Sequence, residues 1–122
     1  MAAKVLIVDD ALFMRNMLRN IFSESGFDVV GEGQDGVEAV EKYRELSPDL
    51  VTMDIVMPEK NGIEALKEIM DLDDKAKVVI CSALGQESLI MEALEAGARD
   101  FIVKPFKPAK VVEVAQKVLS SE

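Results

Sequence analysis

Short apolar runs and helix-period stripes alternate along this chain. Residues 5–8, 29–30, 50–53, 78–81 and 101–103 are compact and rich in Val, Ile, Leu and Met, the pattern of strands buried on both faces of a parallel sheet. Between the first two, Met14, Met17, Leu18, Ile21 and Phe22 fall at i, i+3, i+4, i+7 and i+8, and the stripe stops near Gly26. Asp35 and Glu38 have capping-box spacing and open a helix carrying Val37, Val40 and Tyr43, closed by Ser47 and Pro48. A loop containing Met57, Pro58, Asn61 and Gly62 precedes a helix with Ile63, Leu66, Ile69 and Met70. The fourth helix runs over residues 86–95 with Gly97 as its stop. The fifth opens at Pro108 and turns Val111, Val112, Ala115, Val118 and Leu119 inward.

Five strand–helix units predict a doubly wound α/β fold: an open, parallel, five-stranded sheet with right-handed crossovers and helices on both faces. Five are too few for a closed eight-stranded barrel. The sequence shows no repeat, low-complexity tract or linker, so residues 1–122 read as one domain. At that length folding buries roughly two thirds of the unfolded chain's surface, enough for a core without staples.

Composition narrows the function. A formal charge of −9 argues against nucleic acid, whose phosphates select Lys and Arg clusters, and favours partners with basic surfaces. The chain has no histidine, which removes histidine bases, ligands and phosphohistidine. The lone Cys81 lies in an apolar run and reads as a small buried hydrophobe in a reducing compartment. Charge where a signal peptide would be apolar, and no long apolar stretch, predict a soluble cytoplasmic protein without membrane insertion.

The chemistry sits where the apolar runs end. Asp9 and Asp10 follow the first, Asp54 the third, Ser82 the fourth and Lys104 the fifth. Ligands on open parallel sheets bind at the carboxyl ends of strands, so these side chains are expected to converge on one edge. Asp10 alone reads as a helix cap, but three clustered carboxylates repel one another unless a cation neutralises them. A hard, oxygen-loving ion meets that need, and Mg²⁺ suits it better than Ca²⁺, for which no EF-hand spacing is present. Lys104 offers a compact charge on a long stem, and Ser82 a hydroxyl that can donate to a phosphoryl oxygen. The sequence leaves the isomer of the Lys104–Pro105 bond open.

The segments VLIVDD, MDIVMPEKNG, CSA and FIVKPF, in that order and at those strand ends, resemble the receiver domain of two-component response regulators, most closely the single-domain chemotaxis receivers. The resemblance spans essentially the whole chain. It implies the flavodoxin-like (βα)5 fold with strand order 2-1-3-4-5, and Asp54 as the phosphate acceptor. It implies Asp9, Asp10, Asp54 and the Val56 carbonyl around Mg²⁺, with Asp9 acting partly through water. Ser82 and Phe101 match the switch pair, and Lys104 the lysine that pairs with the phosphoryl group. A histidine kinase of chemotaxis type is the implied donor, and a motor switch or adaptor protein the implied target. A phosphatase is a further implied partner, and the protein is expected to be a monomer. Self-phosphorylation and self-dephosphorylation on Asp54 are then its only catalysis. In the alternative circuit the chain is a relay intermediate that passes its phosphate to a histidine phosphotransfer protein.

Three positions depart from the family pattern. Phe101 stands where many chemotaxis receivers have tyrosine, so no hydroxyl is available to grip a target. Val56 and Leu84 are apolar where fast-dephosphorylating relatives carry polar side chains, which predicts a long-lived phosphorylated form. Rival readings fit less well. A haloacid dehalogenase needs a second aspartate where Val56 stands, and a flavodoxin's phosphate would be repelled by Asp9 and Asp10. The fourth helix, with Leu89, Ile90, Met91, Ala93 and Leu94, is broadly apolar, which fits either deep packing or a partner surface.

Overall fold

The computed structural model describes residues 2–121. Strands and helices alternate: β1 (Lys4–Val8), α1 (Leu12–Glu24), β2 (Asp28–Gly33), α2 (Gly36–Leu46), β3 (Leu50–Asp54), α3 (Gly62–Leu72), β4 (Val78–Ser82), α4 (Glu87–Glu95), β5 (Asp100–Val103) and α5 (Pro108–Ser120). All strand pairs are parallel and the order is β2-β1-β3-β4-β5, the flavodoxin-like arrangement. The order reverses between β1 and β3, the switch point at whose carboxyl ends open parallel sheets bind their ligands.

Burial follows strand position. Every residue of β3 and β4 is buried, while edge strands β2 and β5 are only partly covered. Alternate residues point to opposite faces. Leu6, Val8, Val51, Met53, Val78 and Ile80 pack under α2, α3 and α4. Val5, Ile7, Leu50, Val79, Cys81 and Ile102 pack under α1 and α5. Burying each large apolar side chain is worth about 1.5–3 kcal/mol, so the two layers fix the register of the strands that carry the site.

The helix boundaries follow the sequence pattern, with informative differences. Asp35 Oδ1 accepts from the Glu38 amide at 2.9 Å, but the Glu38 carboxylate accepts from the Gln34 amide, one residue short of a closed capping box. The full reciprocal box is at α3, between Asn61 and Glu64. Val37 is exposed because the stripe facing the sheet is Gly36, Ala39, Val40 and Tyr43, and Val37 falls off that face. On α4, Ile90 and Ala93 are buried whereas Met91 points to solvent, so the helix both packs and presents an apolar surface. Cys81 is fully buried in the α1/α5 layer, and burial pushes its thiol up. Among the described residues, no helix is long and apolar enough to cross a membrane.

Candidate functional site

Asp9 leaves β1 with every polar atom engaged. Its amide donates to the Gly33 carbonyl at 3.1 Å, and its own carbonyl accepts from Arg15 Nη1 at 2.7 Å. Oδ1 accepts from the Ala11 amide at 2.9 Å and Oδ2 from Lys104 Nζ at 3.1 Å. The residue is 1% exposed. Asp10 beside it is exposed, and it does not cap α1: the cap position is Ala11, without a side-chain bond. The helix-cap reading of Asp10 is thereby displaced, because the carboxylate in reach of the turn is that of Asp9.

Asp54 ends β3. Asp9, Asp10 and Asp54 each offer a carboxylate oxygen, and these oxygens lie within 4.8 Å of one another. Lys104 Nζ lies 3.3 Å from Asp54 Oδ2, so one ammonium serves two aspartates. Burial, then the neighbouring Asp9 charge, pushes the Asp54 carboxyl up to about 6, against the opposing pull of Lys104. Burial works against the Lys104 charge, but the Asp54 and Asp9 carboxylates outweigh it and hold the ammonium's pKa above its ordinary value. The cluster is thus under-neutralised by its own residues. All three donors are carboxylates, with no nitrogen or sulfur among them, and that set fits a hard divalent cation.

The loop between β3 and α3 is drawn tightly against this cluster. The Gly62 amide donates to the Ile55 carbonyl at 2.8 Å, and a Cβ on Gly62 would stand 2.1 Å from the Asp54 carbonyl oxygen. On the far side of the loop, the Gly36 amide donates to the Lys60 carbonyl at 2.8 Å, and a Cβ there would meet that oxygen at 2.3 Å. Two glycines therefore let α2 and α3 close on the segment that carries Val56. The Val56 side chain faces solvent, as does that of Leu84 after β4.

Ser82 ends β4 fully buried, and its Oγ has no hydrogen-bond partner. An unpaired buried hydroxyl costs about 1–3 kcal/mol. The Ser82 carbonyl accepts from the Lys104 amide at 2.7 Å, which joins the ends of β4 and β5, and the Lys104–Pro105 bond is cis. Phe101 on β5 is 37% exposed and points outward. With Leu84, Ile90, Met91, Leu94 and Val103 it lines an apolar groove of about 320 Å³.

The model of the response regulator receiver domain matches residues 5–116. The chain belongs to this family. Among the receiver's relatives, the chemotaxis protein CheY of Thermotoga maritima is 60% identical over 97% of this chain and 98% of its own length. CheY of Bacillus subtilis is 56% identical over 98% of this chain and its whole length. In structure, the CheY of a CheX–CheY–BeF3–Mg²⁺ complex from Borrelia burgdorferi superposes with a TM-score of 0.93. It is 43% identical and is matched over 98% of this receiver and 90% of that chain.

Sequence reasoning named the strand-end residues of this receiver but missed Arg15, Glu32 and Gly36, and read Gly62 only as a loop residue. The signal for Arg15 was present: it occupies the helix stripe, three residues before Leu18 and seven before Phe22. A charge at a core position is an anomaly that asks for a partner.

Proposed function

We propose that this receiver takes a phosphoryl group onto Asp54 from a phosphohistidine of a chemotaxis-type kinase, and signals by the surface it then presents. The carrying observation is the under-neutralised cluster of Asp9, Asp10 and Asp54 beneath a single lysine and beside an unpaired serine hydroxyl. In the transfer, an Asp54 carboxylate oxygen forms a bond to phosphorus as the phosphorus–nitrogen bond of the donor breaks, and the leaving imidazole takes a proton from solvent. With a carboxyl pKa of about 6, Asp54 is mostly ionised near neutral pH and available as the nucleophile.

Asp9, Asp10, Asp54 and the Val56 carbonyl are the residues that would hold Mg²⁺, which when bound neutralises the oxygens around the phosphorus. Asp9, fixed at every polar atom, gives that site a rigid wall. Lys104 already bridges Asp9 and Asp54, and its flexible stem lets it move onto a phosphoryl oxygen. Ser82 donates its hydroxyl hydrogen to another. By family resemblance, that shift of Ser82 frees the space into which Phe101 turns, changing the groove beside α4.

Chemotaxis is favoured over a relay because relatives matching nearly the full length of this chain are chemotaxis proteins. On this reading residues 1–122 are a stand-alone cytoplasmic receiver without a separate enzyme activity. Its partners are a kinase, a motor switch or adaptor protein, and a phosphatase, and it does not bind nucleic acid. The test is affinity capture from a motile host with and without beryllium fluoride and Mg²⁺. Recovery of a motility component only with the phosphate mimic is expected, whereas selective recovery of a histidine phosphotransfer domain would shift the assignment to a relay.

A further inference from the structure

Beside the acidic cluster lies a second ionic group, Arg15, Arg19 and Glu32, whose hydrogen bonds reach the Asp9 backbone rather than the cluster's carboxylates. Arg15 is 8% exposed, although arginines are almost never buried without a partner. Its Nη1 donates to the Asp9 carbonyl at 2.7 Å and its Nε to Glu32 Oε1 at 3.0 Å. Glu32, on β2, also accepts from Arg19 Nε through Oε2 at 2.6 Å. One end of a rigid guanidinium fork thus holds the backbone of the first acidic residue, and the other end is anchored to the neighbouring strand.

We propose that Arg15, anchored by Glu32, is a positioning residue for the cation site: it fixes the Asp9–Asp10 backbone and so aims both carboxylates. The inference deepens the proposed reading of the acidic cluster as a Mg²⁺ site and rests on it. The Asp9 carbonyl accepts the arginine hydrogen while the Asp9 amide is tied to the Gly33 carbonyl. The peptides on the two sides of the Asp9 Cα are thus each held by one bond, the one leading to Asp10 by Arg15. Asp10 is exposed, so it depends on the backbone for its direction. Glu32 takes hydrogen bonds from two arginines, which keeps its carboxylate away from the cation and leaves the guanidinium of Arg15 aligned on the carbonyl.

Positioning and simple charge act in opposite directions here. A nearby cation repels Mg²⁺, so if Arg15 mattered only through its charge, removing it would tighten metal binding. If it aims the aspartates, removing it loosens binding, by about 10-fold or more as for other residues that orient metal ligands.

The experiment titrates Mg²⁺ alone into the full-length protein by calorimetry, comparing wild type, Arg15→Met, Glu32→Gln and Arg19→Met, with the folded fraction of each checked by circular dichroism. Arg15→Met is expected to weaken Mg²⁺ binding about 10-fold or more. Glu32→Gln keeps the shape but loses the charge and, with an amide NH₂ in place of one oxygen, one of the two acceptors that the arginines use, and it should shift affinity less, in the same direction. Loss of the Glu32 charge by itself also weakens a cation site, so should Arg15→Met fold poorly, Arg15→Lys, which keeps the charge and gives up the guanidinium fork, carries the comparison and is expected to weaken Mg²⁺ binding as well. Arg19→Met, which bonds Glu32 but not Asp9, should stay within about 2-fold of wild type. Shifting of the Ala11 amide resonance in Arg15→Met without metal is the accompanying spectroscopic sign, because that amide bonds Asp9 Oδ1. Unchanged or tighter Mg²⁺ binding in folded Arg15→Met or Arg15→Lys would overturn the positioning role alone. No Mg²⁺ binding by wild type would overturn the site reading on which it rests.

Discussion

Gly62 presses against Asp54 so closely that a single added methyl would stand 2.1 Å from the Asp54 carbonyl oxygen and 2.9 Å from the Ile55 Cα. Both obstacles are backbone, so neither can rotate away. The substitution Gly62→Ala must therefore push α3 off the end of β3. Expected is a loss of about 2 kcal/mol or more in folding free energy by urea titration, together with weaker Mg²⁺ binding. Stability equal to wild type would show that the contact is not tight in solution.

The exposed, apolar Val56 and Leu84 flank the acidic cluster without offering a group to orient water. Both sit on loop positions open to solvent, so polar replacements there need no repacking. Val56→Asn and Leu84→Glu should shorten the lifetime of the phosphorylated protein, and together several-fold. The check is decay of the acyl phosphate after removal of the donor, and unchanged lifetimes in both variants would remove the role assigned to these positions.

Crowding of carboxylates has a thermodynamic side. Asp10 is exposed and lies within the same group of oxygens as Asp9 and Asp54, with one lysine to offset them. Asp10→Asn should raise the melting temperature of the metal-free protein while weakening Mg²⁺ binding. A lower melting temperature without metal would mean that Asp10 makes a stabilising contact the repulsion does not outweigh.

Far from this edge, Tyr43 donates its hydroxyl hydrogen to Asp73 Oδ2 at 2.8 Å. That bond, followed by the Lys75 amide, draws the Asp73 carboxyl below its ordinary value of 3.8. A carboxyl lowered on folding adds stability above its unfolded pKa, and that stability fades as the pH falls through the folded value. Tyr43→Phe should cost about 0.5 kcal/mol at pH 7, at the low end for hydrogen bonds because Asp73 is exposed. The gap between wild type and variant should shrink as the pH is lowered from 5 toward 3. A gap constant across that range would assign the loss to packing of the ring instead.

The architecture was legible because it depends on periodicity, and here each apolar run marks a strand and each helix-period stripe marks a helix. Leu6, Val8, Val51 and Met53 sit on one side of the sheet, and Val5, Ile7 and Leu50 on the other, as strand alternation requires. The strand-end aspartates were legible for the same reason, since parallel strands bring their carboxyl ends together. What the pattern left out was contact between elements distant in sequence. The approach of Gly36 to Lys60 and the bonding of Arg15 to Glu32 depend on how α2 meets the β3–α3 loop and how α1 lies against β2. Hydropathy marks Arg15 as a charge on an apolar stripe but does not name its partner, and it carries no record of the Gly36 contact. The outward turn of Phe101 was likewise invisible, because an edge strand can place an aromatic ring on either side.

The central claim is that Asp54 is the phosphate acceptor. The most direct measurement incubates the wild type and Asp54→Asn with acetyl phosphate and Mg²⁺, then maps any added phosphoryl group by mass spectrometry after trapping the acyl phosphate. One phosphoryl group is expected on the peptide containing Asp54 in the wild type and none in the variant. Labelling of Asp54→Asn at an undiminished rate, or a wild-type label mapped to another residue, would contradict it.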